Sequence, residues 1–393
     1  MTDTAMMPTY ARIDLSFEKG EGAYLFSTDG RRFLDFGAGI AVNSLGHSHP
    51  HMVKVLQEQA AKLWHTSNLF RIPEGELLAE RLCEASFADQ VFFTNSGAEA
   101  LECSIKVARK YQSHIGNPEK YRVICCDGAF HGRTLATIAA GGGEKLLAGF
   151  GPAVEGFDHV AFDNLNEMKA AITPETAAIM VEPIIGEGGI IPASYDYLKG
   201  LRETCDEFGL LLIFDEVQCG LGRTGKLFAH EWAEVAPDIA ASAKGIGGGF
   251  PLGACLATKE AAAGMVPGTH GSTYGGNPLA MAVGNGVLDV IMASGFFDSV
   301  NAISDYLSKE LESLTNKHSD KIDLVRGSGL MLGIKITDAY PVGSVITALR
   351  ENGLIAIPAA ENTVRLLPPM IIEKTHVDEA VAILDSTLSA MAA

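Results

Sequence analysis

The chain has 393 residues, 47% hydrophobic, with 43 glycines, enough to bury a large core in about two domains and to turn often. Its 30 lysines and arginines against 48 aspartates and glutamates leave a formal charge of −18, which argues against nucleic acid and anionic membrane as partners, since both need a basic footprint, but not against a small anion held by a few arginines in a cleft. Seven cysteines without C-x-x-C spacing fit neither a disulfide framework nor a zinc site, residues 1–10 lack the order of a signal peptide, and no apolar run nears the ~20 residues of a membrane span, so a cytoplasmic protein is expected.

Residues 10–46 read as hairpin material, with strands on either side of Thr28-Asp29-Gly30. The run His47-Ser48-His49-Pro50-His51 tempts a metal reading, but Pro50 breaks any single helix face and no metal site is expected. Two amphipathic helices follow, over 51–63 and 74–86, the first with Val53, Leu56, Ala60 and Leu63 on one face. Val91-Phe92-Phe93-Thr94 reads as a strand, and Asn95-Ser96-Gly97-Ala98-Glu99 opens a helix. A strand, a small-residue turn and a helix start make an anion site, because free N–H groups and the positive dipole end converge there. Ser96 and Glu99 also have capping-box spacing.

A strand over 121–125 leads to Asp127-Gly128-Ala129-Phe130-His131-Gly132-Arg133-Thr134. Taken alone, Phe130 is a core residue, His131 supports packing and Arg133 is a surface charge. Residues 141–143, all glycine, read as a mobile loop. A strand over 178–181 ends at Glu182-Pro183, before the glycine-rich loop that carries Glu187. After a helix over 195–208 comes the apolar run Leu210-Leu211-Leu212-Ile213-Phe214, closed by Asp215. Such a run bounded by turns reads as a buried strand, with Asp215 at the carboxyl end where open α/β sheets place ligands. Lys244 lies further on, within Ser242-Ala243-Lys244-Gly245. A strand-end carboxylate and a lysine in a glycine-rich loop suit pyridoxal phosphate, which takes a lysine amine for its Schiff base and an acid for its ring nitrogen. The carboxylate keeps that nitrogen protonated. Burial and a nearby cation keep the lysine neutral enough to react. Between the two, residues 220–226 match the start of a phosphate loop, but Leu227 stands where magnesium needs Ser or Thr. From about residue 278 two helices precede alternating strands and helices. Arg365 sits in a short strand between Val364 and Leu366, pointing away from their apolar face.

Phe214-Asp215-Glu216-Val217-Gln218, Gly222-Arg223-Thr224-Gly225, and Ala243-Lys244-Gly245 with Gly249-Phe250-Pro251 resemble the class III (ω-amino) pyridoxal-phosphate-dependent aminotransferases, and the likeness covers nearly the whole chain. The stretch 64–70 resembles the members that act on acetylornithine. The resemblance implies an α/β fold of aminotransferase type I. A mostly parallel seven-stranded sheet would fill a large domain (51–294), beside a smaller α/β domain from residues 1–50 and 295–393. It implies pyridoxal phosphate held by Ser96, Gly97 and Ala98 at its phosphate and by Phe130 against its ring. Asp215, Glu216, Val217 and Gln218 would border the ring, and Lys244 would carry the Schiff base and move protons. Thr273 would reach the phosphate of a second subunit, so a homodimer with shared sites is implied. Arg133 and Arg365 would bind substrate carboxylates, Glu187 would pair with Arg365, and Ser272 would lie beside the substrate. The implied reaction moves the terminal amine of N2-acetylornithine to 2-oxoglutarate, in arginine biosynthesis. Succinylated ornithine or diaminopimelate, ornithine and 4-aminobutyrate remain as donors, glutamate-semialdehyde aminomutase as another activity, and a nucleotide-binding module through residues 220–226 as another class.

Overall fold

The run after Leu210 becomes the strand Leu211–Asp215, at the centre of a seven-stranded sheet. The computed structural model describes residues 5–391. Across the sheet the strands are Gln90–Thr94, Gly253–Ala257, Ile239–Ser242, Leu211–Asp215, Thr176–Val181, Arg122–Cys126 and Phe157–Val160. Gly253–Ala257 runs antiparallel to both neighbours, and the other pairings are parallel. The expected mostly parallel seven-stranded sheet of an α/β fold is therefore the one the chain adopts.

Leu211 and Ile213 pack with residues of the helix Gly97–His114 on one face, while Leu212 and Phe214 pack with the helix Tyr195–Phe208 on the other. Alternating side chains point to opposite faces, so a strand covered on both sides reads as one apolar run. The parallel strands end together at one edge, which places Asp215 and the residues after Ser242 side by side.

Two strands beside this centre, Ile239–Ser242 and Gly253–Ala257, escape the sequence pattern, which reads their surroundings as a glycine-rich loop. They are rich in small residues with weak strand propensity, and they are held in the sheet by burial: every residue in both is buried. Residues 141–143 form a helix end and not a free loop, with Gly142 left-handed (φ 66°) as the cap of Leu135–Gly141.

The N-terminal strands Phe17–Glu21, Tyr24–Ser27 and Arg32–Asp35 form an antiparallel sheet that gains a fourth strand, Leu354–Ile355, from the C-terminal region. A second four-stranded sheet joins Ile322–Ser328, Met331–Ile336, Thr363–Leu366 and Ile357–Ala359. The helix Pro50–Ala60 is rotated from its expected orientation. Met52 and Val55 meet Gly286 of the helix Pro278–Ile291, while Val53, Leu56 and Leu63 stay exposed. The small side of the partner helix admits the first pair and leaves the expected face uncovered. No single helix among the described residues is long and apolar enough to cross a membrane.

Candidate active site

At the carboxyl edge of the sheet lies a cavity of ≈ 360 Å³, bordered by Asp215, Lys244, Phe130, Glu182, Gln218 and the turn Ser96–Ala98. Asp215 is 3% exposed. Its Oδ2 is 2.7 Å from His131 Nδ1, and its Oδ1 accepts from the Val217 amide at 3.0 Å. His131 is buried, and its Nε2 has no hydrogen-bond partner among the described residues. Burial alone would lower the His131 pKa, but the hydrogen bond and charge of Asp215, with the charge of Glu182, outweigh it, and the net direction is upward. His131 is thus a buried brace for Asp215.

Glu182 follows the strand Thr176–Val181, whose Val181 pairs with Phe214, the residue before Asp215. Its Oε1 accepts from the Phe130 amide at 2.8 Å and its Oε2 from the Gly186 amide at 3.0 Å. Burial, then the neighbouring charge of Asp215, push its pKa up to about 7 against two amide donors and His131 that pull the other way. A carboxyl whose folded pKa exceeds its ordinary 4.5 binds the extra proton only when folded. Its contribution to stability is complete below that ordinary value and is lost as pH rises to about 7. Glu182→Gln should therefore flatten the fall in thermal stability over that window, measured by melting temperature against pH. A wild-type slope retained in the variant would remove Glu182 as its source.

Lys244 follows the strand Ile239–Ser242 and takes a left-handed backbone (φ 49°). Few residues other than glycine adopt that conformation, and its strain is tolerated where the surroundings fix the chain. Its pKa is lowered, first by burial and also by the Arg365 cation, against the opposing carboxylates Glu187, Asp215 and Glu182. The amine is thereby neutral over a wider pH range than an ordinary lysine.

Ser96 caps the helix Gly97–His114, its Oγ accepting from the Glu99 amide at 3.3 Å. The capping box does not close as expected: the Glu99 carboxylate accepts from the amide and side chain of Asn95 instead. Ser96 borders the cavity as well. The Gly97 and Ala98 amides, in the first turn, have no intrahelical acceptor by geometry. A Cβ on Gly97 would stand 2.9 Å from Val217, so glycine lets that side chain lie close to the turn.

Arg365 is 1% exposed, in a strand flanked on both sides, and is not an edge charge. Its guanidinium forks onto Glu187 at 2.5 and 3.2 Å, and donates to Gln218 Oε1 at 3.0 Å. The Glu187 side chain is 35% exposed, and Arg365 holds its pKa down against the opposing effect of burial. Gln218 borders the cavity and so joins this pair to it. Gly186 makes room for Gln218, since a Cβ there would meet its amide at 2.5 Å.

Some expected site residues lie elsewhere. Glu216 is a correction: its carboxylate turns away from the cavity and is closed in by His230 Nδ1 at 2.9 Å, the amides of Ala229 and His230, and the Cys219 thiol. The alternation of a strand end explains it, because Asp215 and Glu216 face opposite ways. Arg133 is exposed and lies over the Phe130 ring, 5.5 Å from its centroid, outside the residues that border the cavity. Ser272 accepts from the Gly275 amide at 2.8 Å and contacts Asn95 at 3.4 Å, while Thr273 is exposed. Residues 220–226 form turns and not a strand-to-helix phosphate loop: Lys226 donates to the Glu231 carbonyl and lies over Trp232. His47 and His51 pair separately with Asp35 and Asp289, and no metal-ligand cluster exists among the described residues.

The sequence profile of the class-III aminotransferases matches residues 5–388. The chain belongs to that family. It is 59% identical to the acetylornithine aminotransferase of Mesorhizobium japonicum, over 97% of this chain and 95% of the relative. The ornithine aminotransferase of Toxoplasma gondii superposes with a TM-score of 0.94 at 32% identity, covering 98% of this chain and 92% of that one. The N-acetylornithine aminotransferase of Stenotrophomonas maltophilia gives 0.85 at 37% identity, covering 97% of each.

The residues of this class-III site fit pyridoxal phosphate, the family's cofactor. An acid, an amine whose pKa burial lowers, an aromatic face and an anion cup of first-turn amides border one cavity of ≈ 360 Å³. Sequence reasoning missed the brace role of His131 and the clasp made by Glu182. His131 and Asp215 are 84 positions apart, and nothing local joins them. Glu182 had a visible signal, a carboxylate at a strand's carboxyl end like Asp215.

Proposed function

We propose that this enzyme transfers the terminal amino group of N2-acetylornithine to 2-oxoglutarate, giving N-acetylglutamate 5-semialdehyde and glutamate, a step of arginine biosynthesis. The observation that carries the reading is the Arg365–Glu187 pair beside the Lys244 cavity. The donor reacts at an amine remote from its α-carboxylate, whereas 2-oxoglutarate carries a carboxylate next to the reacting carbon. One site serves both only if the arginine facing that carbon can be masked and unmasked. A half-exposed glutamate on a loop is suited to that exchange.

When bound, pyridoxal phosphate supplies the electron sink for the carbon that loses its proton. Ser96 and the Gly97 and Ala98 amides would hold its phosphate, Phe130 would lie against its ring, and Asp215 would keep the ring nitrogen charged. Lys244 Nζ takes the proton from the amine-bearing carbon of the donor, and in the second half delivers one to the keto carbon of 2-oxoglutarate. Arg365 binds the carboxylate of 2-oxoglutarate when Glu187 swings off. Turnover of N2-acetylornithine should exceed that of ornithine, N2-succinylornithine and 4-aminobutyrate in a donor panel with 2-oxoglutarate. No transfer from N2-acetylornithine would overturn the reading. Arg365→Ala should raise the KM for 2-oxoglutarate roughly 10- to 150-fold, matching the ~1.5–3 kcal/mol of a hydrogen bond to a charged group. An unchanged KM would remove Arg365 from the acceptor's binding.

The enzyme acts as a homodimer with sites shared between subunits. Support comes from Val53, Leu56, Leu63, Trp64, Leu69 and Phe70, an apolar set left exposed, with Leu69 at 89% and Phe70 at 67%, and from the exposed Thr273. Seven free cysteines suit a reducing cytoplasm. Residues 51–294 serve as the cofactor domain, with 1–50 and 295–393 as the smaller unit.

A further inference from the structure

Glu187 sits in the turn between the short strands Ile184–Ile185 and Ile191–Pro192, and this turn is held more firmly than a mobile gate would be. The Gly186 amide donates to Glu182. The Glu187 carbonyl accepts from the Ala360 amide at 2.9 Å. The Gly189 carbonyl accepts from Arg326 Nε at 2.9 Å. Arg326 is itself fixed by an ion pair with Glu361 at 2.6 Å.

The sheet register explains how Arg326 reaches the loop. Arg326 is paired with Gly333, and Gly333 with Arg365, so the three form one row across the strands. Side chains in one row share a face, so both arginines project on the same side with a glycine between them. The loop occupies that gap. A Cβ on Gly333 would stand 2.9 Å from the Ile190 Cβ, and a Cβ on Gly189 would stand 2.5 Å from the Arg326 guanidinium. Ile190 is fully buried there and has φ 58°, a costly conformation for a β-branched residue that persists only where packing dictates it. The loop thus lies along the row, with Glu187 on Arg365, Ile190 over Gly333 and Gly189 against Arg326.

We propose that Arg326 is a positioning residue for substrate choice: with Gly333 and Ile190 it latches the loop backbone, so that masking and unmasking of Arg365 is a rotation of the Glu187 side chain alone. This rests on the two-substrate reading above. Freed of the latch, the loop presents Glu187 to Arg365 for less of the time. Arg365 is then exposed more often, which favours the dicarboxylate acceptor and disfavours the amine donor.

The test compares wild type, Arg326→Ala and Glu361→Gln as cofactor-loaded enzymes. Amide hydrogen exchange in the peptide spanning residues 184–191 should quicken by about tenfold in Arg326→Ala and by less in Glu361→Gln. In steady state the KM for 2-oxoglutarate should fall and that for the amine donor should rise, shifting their ratio by about three- to tenfold, the size of a modest coupling between sites. Unchanged exchange overturns the latch, and so does a parallel change of both KM values, which is what a merely structural role would give. The exchange measurement reads the latch whatever the substrates are. If wild type moves no amino group from any donor while the exchange difference stands, the functional reading fails and the latch does not.

Discussion

Replacing Lys244 by alanine should lower turnover by at least about 10⁴-fold, because in the proposed reaction one side chain serves as both the attachment point and the proton carrier. No second lysine borders the cavity among the described residues, so no other side chain there can substitute for the lost amine. The fold has little reason to fail. Alanine keeps the Cβ at the left-handed position, the preceding strand stays paired on both sides, and Asp215 with His131 is untouched. Lys244→Arg should be nearly as inactive, since a guanidinium stays protonated where burial lowers the pKa of this amine. Steady-state transfer and borohydride trapping on the peptide containing residue 244 check both variants. More than about a hundredth of wild-type turnover in Lys244→Ala, a loss smaller than the ~10²-fold lower end for a general acid–base residue, would end the assignment.

What the sequence made legible follows from which physical signals are local. Leu211–Asp215 announces itself by a continuous apolar run ending on a charge. Lys244 stood out by its glycine neighbours, yet the strand that positions it, Ile239–Ser242, is made of Ile, Ala and Ser and carries little pattern of its own. Its place is decided by pairing with Leu211–Asp215, which is a tertiary fact. The same holds for the helix Pro50–Ala60, where two apolar stripes compete and the glycine of a partner helix, more than 200 positions away, selects Met52 and Val55. Glu216 could have been excluded from the sequence, since alternation at a strand end sends neighbours to opposite sides. The Arg326–Gly333–Arg365 row could not, because it exists only through strand register.

Asp215→Asn should lower kcat by about 10²–10³-fold, the scale of removing one preorganised electrostatic partner. The substitution is nearly isosteric and keeps an Oδ1 to accept from the Val217 amide. At the other oxygen the sense of the hydrogen bond reverses. Asparagine donates there, so His131 must accept at Nδ1 and carry its proton on Nε2, the atom that has no partner among the described residues. His131 then loses the anion whose hydrogen bond and charge raise its pKa, and so is less readily protonated beside the cavity. The variant should therefore bind the cofactor's phosphate end normally through Ser96, Gly97 and Ala98, yet leave the ring nitrogen without a counter-charge. Neither Glu182 nor Glu216 can replace it. The first holds the amides of Phe130 and Gly186, and the second is closed in by His230 on the opposite side of the strand. Asp215→Glu restores the charge one methylene out of place and should recover only part of the loss. Single-turnover rates with the amine donor separate proton removal from product release. A rate within threefold of wild type for Asp215→Asn, with the melting temperature preserved, would show that the carboxylate shapes the cavity without acting electrically on the reaction.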